Sequence, residues 1–153
     1  MKKKFFLLCA FLILVTVGCN DSGEPEPKEP VRKLEGTKWK LGGFFDATTN
    51  ELQKEKVSII EFYPIGAMRD TSKKYIIGGV GINRVIGIYD VNYTISTIQF
   101  ADLQITLLPP ITEDDKFYLA ALGMVNKFEV KDIELKLYYN DGKNYLLYYE
   151  LTT

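Results

Sequence analysis

Apolar and polar residues alternate most clearly near the end of the chain. Ile133, Leu135, Leu137 and Tyr139 are separated by Glu134, Lys136 and Tyr138. A period of two belongs to a strand with one buried face. Asp141-Gly142 follows, a pair suited to a tight hairpin, and residues 145–151 run straight back. A two-residue turn would pair Leu137 with Leu146, Leu135 with Tyr148 and, on the other face, Tyr138 with Tyr145. A three-residue turn with Gly142 as the bulge would slip the register and exchange the faces. The pattern admits both.

Upstream, runs rich in Ile, Val, Tyr and Phe predict strands at 39–45, 57–63, 75–77, 85–93, 98–100 and 103–108. Pro64 and Gly66 end the second of these. One stretch keeps a different period. After Pro109-Pro110, Thr112 is placed to cap a helix, with Asp115 three residues on as its capping-box partner. Glu113, Asp114 and Asp115 suit the positive end of a helix dipole, which explains them better than a metal site does. Phe117, Ala120, Ala121, Met124 and Phe128 then recur at helical spacing, a stripe that a helix near residues 113–126 could lay on a sheet. The domain these elements predict is α+β, mainly β.

Before residue 34 the pattern changes. Lys2, Lys3 and Lys4 precede an apolar run over residues 5–17. That run is short of the ~20 residues that a membrane-spanning helix needs, and it reads as a signal peptide over residues 1–18. It ends in Thr16-Val17-Gly18-Cys19, which resembles a lipobox, so Cys19 is the expected site of palmitate or related acyl chains. Residues 19–33 hold Pro25, Pro27 and Pro30 among Asp21, Glu24, Glu26 and Glu29. Such a segment has little to bury and reads as a flexible acidic tether, with a reach of roughly 40 Å at ~3.1 Å per residue. Acids soon after the cysteine also resemble the surface-export signals of Bacteroidota lipoproteins. Residues 34–153 remain as one domain, large enough to bury a core without disulfides.

Composition narrows the chemistry. The 153-residue chain has 19 basic and 20 acidic residues, and loss of the three signal lysines leaves 16 against 20, a net −4. This gives no electrostatic footprint for nucleic acid and no basic patch for anionic lipid. There is no histidine, and of the two cysteines Cys9 lies within the signal. Serine–histidine, cysteine–histidine and histidine-ligated zinc chemistry are therefore excluded. A carboxylate pair for glycoside hydrolysis could be drawn from Asp90, Asp102, Glu129 and Glu134, but no spacing selects one. Gly78-Gly79-Val80-Gly81 lacks the following helix that a phosphate loop requires, because residues 82–93 read as strand. Five of the ten tyrosines fall between Tyr138 and Tyr149. Most are expected to pack, and Tyr138, Tyr145 and Tyr149 are the candidates for an exposed binding face.

Taken in order, the pieces resemble a META domain, the family of HslJ-like heat-shock lipoproteins. Leu34-Glu35-Gly36-Thr37-Lys38-Trp39-Lys40-Leu41 is similar to the family's opening around a tryptophan. Gly81-Ile82-Asn83-Arg84-Val85-Ile86-Gly87-Ile88-Tyr89 is similar to its run of glycine, cysteine, asparagine, three residues, glycine, any residue and tyrosine. Thr106 stands where the family's threonine-methionine-alanine-cysteine run begins. The helix and the closing hairpin complete a likeness over residues 34–149. Ile82 and Leu107-Leu108-Pro109 replace both family cysteines, so no thiol or disulfide role carries over. The resemblance implies a strongly bent antiparallel sheet, a partial barrel, packed on one helix. It implies no catalytic residue and no cofactor, and it gives a loose link to envelope stress. A lipocalin-like domain is the rival fold. Its opening puts one residue between glycine and tryptophan, where two separate Gly36 from Trp39, and its helix follows the barrel.

The expectation is a non-catalytic cell-envelope lipoprotein, a stress-associated structural or protein-interaction module of the outer membrane, on either of its sides. It would meet the membrane through its lipid and an envelope protein as partner, with no metal and no nucleic acid. The alternative is a small-ligand or glycan-binding lipoprotein using a lipocalin-like or aromatic face. Trp39, Gly81, Asn83, Gly87, Tyr89 and Thr106, the motif residues most tempting as a site, are expected to be scaffold.

Overall fold

The computed structural model describes residues 31–152 apart from 54–57, 69, 81, 107 and 111. The expected signal peptide, Cys19, the tether up to residue 30 and the motif residue Gly81 lie outside the described residues.

In chain order the elements are β1 (Lys38–Asp46), β2 (Glu51–Gln53), β3 (Ser58–Tyr63), β4 (Tyr75–Val80), β5 (Asn83–Asn92), β6 (Thr97–Ile105), α1 (Glu113–Gly123), β7 (Lys127–Lys131), β8 (Glu134–Tyr139), α2 (Asn140–Lys143) and β9 (Asn144–Glu150). The fold is mainly β, as expected, and every strand pairing is antiparallel. The sheet bends until its ends meet. One edge of β1 pairs with β9, while the other pairs with β3 along its first half and with β2 along its second. Eight strands thus form a closed ring, with β2 as a short flap. The wall is thinnest between β6 and β7, which share the single pair Thr97 with Lys127; beyond it α1 packs on β6.

An eight-stranded barrel is just wide enough for side chains to fill. Strict alternation turns Ile60 and Phe62 of β3, Leu135, Leu137 and Tyr139 of β8, and Leu146 and Tyr148 of β9 inward. Two register shifts break the period. Between Leu41 and Gly43 an extra residue in β1 lets Phe44 turn inward after Trp39 and Leu41. In β6 a bulge at Asp102 (φ 51°) faces Gly87, so the strands expected at 98–100 and 103–108 are one bent strand that stops at Ile105.

The helix starts where its cap was expected. Thr112 accepts from the Asp115 N–H, and the Asp115 carboxylate accepts the Thr112 N–H at 2.8 Å. Its length and face need correction. It ends at Gly123, and it buries Asp115, Tyr118, Ala121 and Leu122, with Val125 just beyond. Ala120 and Met124 are exposed, Phe117 is partly exposed with its ring edge-on to the buried Phe44 at 4.9 Å, and Phe128 belongs to β7, a strand that the helical period had absorbed.

The closing hairpin takes the two-residue register: Leu137 faces Leu146, Leu135 faces Tyr148 and Tyr138 faces Tyr145. Between the strands α2 is wound in the left-handed sense, with φ of 48° at Asn140, 58° at Asp141 and 74° at Gly142. Positive φ at both central residues is what a tight hairpin requires, and it explains Asp-Gly there.

Each end of the barrel is shut. Over one lies α1, beside the β4–β5 turn and α2. Over the other lie residues 31–37, with Leu34 fully buried beside Tyr93 and the β3–β4, β5–β6 and β7–β8 turns at the rim.

Candidate functional site

The motif residues of β5 do not converge. Asn83 is buried under α1's end of the barrel. Its Oδ1 accepts the Leu108 N–H at 2.9 Å and its Nδ2 donates to the Leu108 carbonyl at 3.4 Å. Thr106 Oγ1 accepts the Arg84 N–H at 2.8 Å and donates to Asn83 Oδ1 at 3.5 Å. These two side chains fasten the start of β5 to the segment that leads into α1. Further along, a Cβ on Gly87 would sit 2.7 Å from Leu103 Cδ2 and 3.1 Å from the Ala101 carbonyl, so the bulge admits only glycine without adjustment. Tyr89 lies six residues beyond Asn83, roughly 20 Å along the strand. Its buried ring meets Phe62 edge-on at 5.2 Å and its hydroxyl donates to the Tyr63 carbonyl at 3.4 Å. Trp39 is fully buried and its Nε1 donates to Thr37 Oγ1 at 2.7 Å.

The structure assembles a polar cluster at the N-terminal end that sequence reasoning missed. Tyr93 accepts the Leu34 N–H at 2.9 Å and donates to the Glu35 carboxylate, which Lys74 meets at 2.7 Å. Burial alone would raise the Glu35 pKa, but the hydrogen bonds from Lys74 and Tyr93 outweigh it and hold the carboxyl below its ordinary value. Burial, reinforced by Glu35, pushes the Tyr93 hydroxyl up. Arg32 adds a bidentate pair with Glu150. The partners lie 39 and 58 residues apart in the chain, so no local spacing announces the cluster.

On the outer wall, Tyr138 and Tyr145 come together at 5.4 Å between ring centroids. Phe45 joins them, stacked on Tyr145 at 4.6 Å and 12°. Lys127 lies over Tyr138 and Lys136 over Tyr145, each ammonium 5.2 Å from its ring centre. Tyr138 donates to Glu129 at 2.7 Å; burial and that carboxylate together raise its pKa. Tyr149 does not join the group. It lies four residues along β9 from Tyr145, with its ring against Gly42. Tyr139 and Tyr148 face the core, and Tyr148 donates to Tyr118 at 2.8 Å in the buried interior.

Of the carboxylates, Asp90 and Asp102 lie on the neighbouring strands β5 and β6, and Glu129 and Glu134 on the neighbouring strands β7 and β8. Gly78 and Gly79 are ladder positions of β4 rather than the start of a helix. Among the described residues no group of three or more potential ligands could hold a metal ion. A shallow groove of about 600 Å³ runs between Val31, Arg32 and Ser96 and the edge of β7.

No family model and no curated protein matches the chain. Two solved structures are similar to it in fold. A DUF4847 family protein from Bacteroides vulgatus ATCC 8482 shares 12% identity over 78% of this chain and 96% of its own, with a TM-score of 0.58. A protein from Burkholderia xenovorans shares 18% identity over 83% of this chain and 99% of its own, with a TM-score of 0.62. At such identities the likeness concerns the fold alone.

Proposed function

We propose that the chain is a META-like, non-catalytic envelope lipoprotein, held by acyl chains on Cys19, whose barrel is a protein-interaction or stress-associated structural module. The observation that carries this reading is the filled interior. Trp39, Phe62, Tyr118, Phe128 and Tyr148 are each less than 2% exposed, so a partner is met on the outer wall. Asn83, Gly87, Tyr89 and Thr106 are spent on holding strands and helix together, which supports a scaffold role for the motif. The half-buried Phe45–Tyr145–Tyr138 group, with its two lysines, favours a second reading in which the outer wall stacks on a glycan or small apolar ligand.

The deciding experiment is fractionation of cells that express Cys19→Ser. The variant is expected in the soluble fraction and without metabolic label from palmitate. Retention of the unlabelled variant in the membrane would sink the lipoprotein reading. Replacing Tyr138 and Tyr145 together by serine tests the outer wall: a partner or glycan that binds there should be lost without loss of fold.

A further inference from the structure

We propose that the rim carrying the β3–β4, β5–β6 and β7–β8 turns rests on the lipid surface, with the isoleucine at each turn inserted among the acyl chains; this rests on the lipoprotein reading. Antiparallel pairing around a closed ring puts those three turns at one end of the barrel, together with residues 31–37. Each turn exposes one isoleucine: Ile65 at 58%, Ile95 at 64% and Ile133 at 58%. Each isoleucine adjoins a residue of positive φ, Gly66, Ser96 and Asp132, so a tight turn holds it outward. Turns ordinarily take Gly, Pro, Asn, Asp or Ser, and an isoleucine there gains nothing from the core. Val31, 40% exposed, lies on the same rim.

The occupant follows from where the chain joins the barrel. Val31 follows Cys19 by twelve residues, which reach about 40 Å at most. Lipid on Cys19 therefore attaches the barrel to the bilayer through this rim and not through the opposite one. So short a connection supplies a high effective concentration, and a weak insertion becomes populated. Charges at the rim offset one another, as in Lys73 with Asp70 and Arg32 with Glu150, so insertion is apolar and insensitive to salt. The opposite rim also exposes apolar side chains, Ile82, Leu108, Phe117 and Met124, around α1. They are on the side away from the tether, and this makes Ile82 the natural control.

With Cys19 acylated, the mature chain has no free thiol, so Ile95→Cys and Ile82→Cys each take one spin label. The labelled, acylated full-length protein is reconstituted into phosphatidylcholine vesicles. Collision with oxygen, which concentrates in lipid, is compared with collision with a water-soluble nickel chelate, and the mass of the N-terminal peptide reports acylation. The label at 95 should favour oxygen and the label at 82 nickel, at low and high salt alike. Adding Ile65→Ser and Ile133→Ser should weaken the lipid contact on the order of tenfold per side chain. An acylated protein with both labels equally open to nickel would overturn the rim contact and leave the lipoprotein reading intact. A label at 95 shielded from both reagents would overturn it too, in favour of a protein interface. An unacylated N-terminal peptide would end the lipoprotein reading, and the rim inference with it.

Discussion

At one end of the barrel a helix brings its own hydrogen bonds into the closure; at the other, residues 31–37 borrow theirs from the wall. α1 arrives capped by Thr112 and Asp115 and inserts Tyr118, Ala121 and Leu122. The N-terminal segment inserts only Leu34. It leans on Phe62 for main-chain bonds, through Gly36 and Thr37, and on Tyr93 for the Leu34 N–H. Buried main-chain groups must be paired, and an irregular segment can pair them only with partners it finds in place. The helical closure is thus a local achievement of the sequence. The other is a contract between distant residues, and it includes the Lys74–Glu35 ion pair.

The largest expected effects come from emptying each closure. Leu122→Ala and Leu34→Ala both remove a fully buried side chain, and each should cost about 2–5 kcal/mol in urea unfolding. A Leu34→Ala loss well below that range would mean that the irregular end is not part of the cooperative core. Asn83→Ala should cost about 1–3 kcal/mol, because the Leu108 N–H and carbonyl lose a buried partner. Wild-type stability in that variant, with loss of a bound ligand or partner, would make the motif a site. Gly142→Val places a β-branched residue at a φ of 74° and should lower stability by roughly 1 kcal/mol or more; an unchanged melting temperature would reject the left-handed turn.

The smallest effect is the one that separates the ends most cleanly. Glu35 is held below its ordinary value of 4.5, so its contribution is complete above that pH and lost as pH falls through the lower folded value. In Glu35→Gln the melting temperature should therefore fall less steeply below pH 4.5 than in the parent chain. An identical acid profile would remove the Lys74–Glu35–Tyr93 cluster from the account of stability.

What the sequence disclosed follows the same division. The Thr112 cap and the Leu135–Leu137 alternation are local, and both were readable. The face of α1 was not, because its buried stripe runs through Asp115 and Tyr118, which a count of apolar residues skips, while Phe117 and Met124 keep the same period on the exposed side. Asp102 broke β6 in two because a bulge interrupts alternation. β2 has three exposed residues and no pattern to read. Tyr138 and Tyr145 were found by their density near the hairpin, but Phe45 reaches them through the pairing of β1 with β9, and Glu35 reaches Tyr93 across 58 residues. Pairings of that range leave no mark in a window of ten or twenty residues.

That pairing of β1 with β9 also sets an order of events. Trp39 lies opposite Glu150, so the first strand to be synthesised gains its β9 partner last. Contacts so distant in the chain make for slow folding, since the loop between them must be closed before they repay it. Until Asn144–Glu150 is released, β1 and β8 present open edges, the state in which strands pair with the wrong neighbour. A chain cut short before residue 144 should accordingly be a substrate for chaperones and proteases rather than a smaller version of this domain.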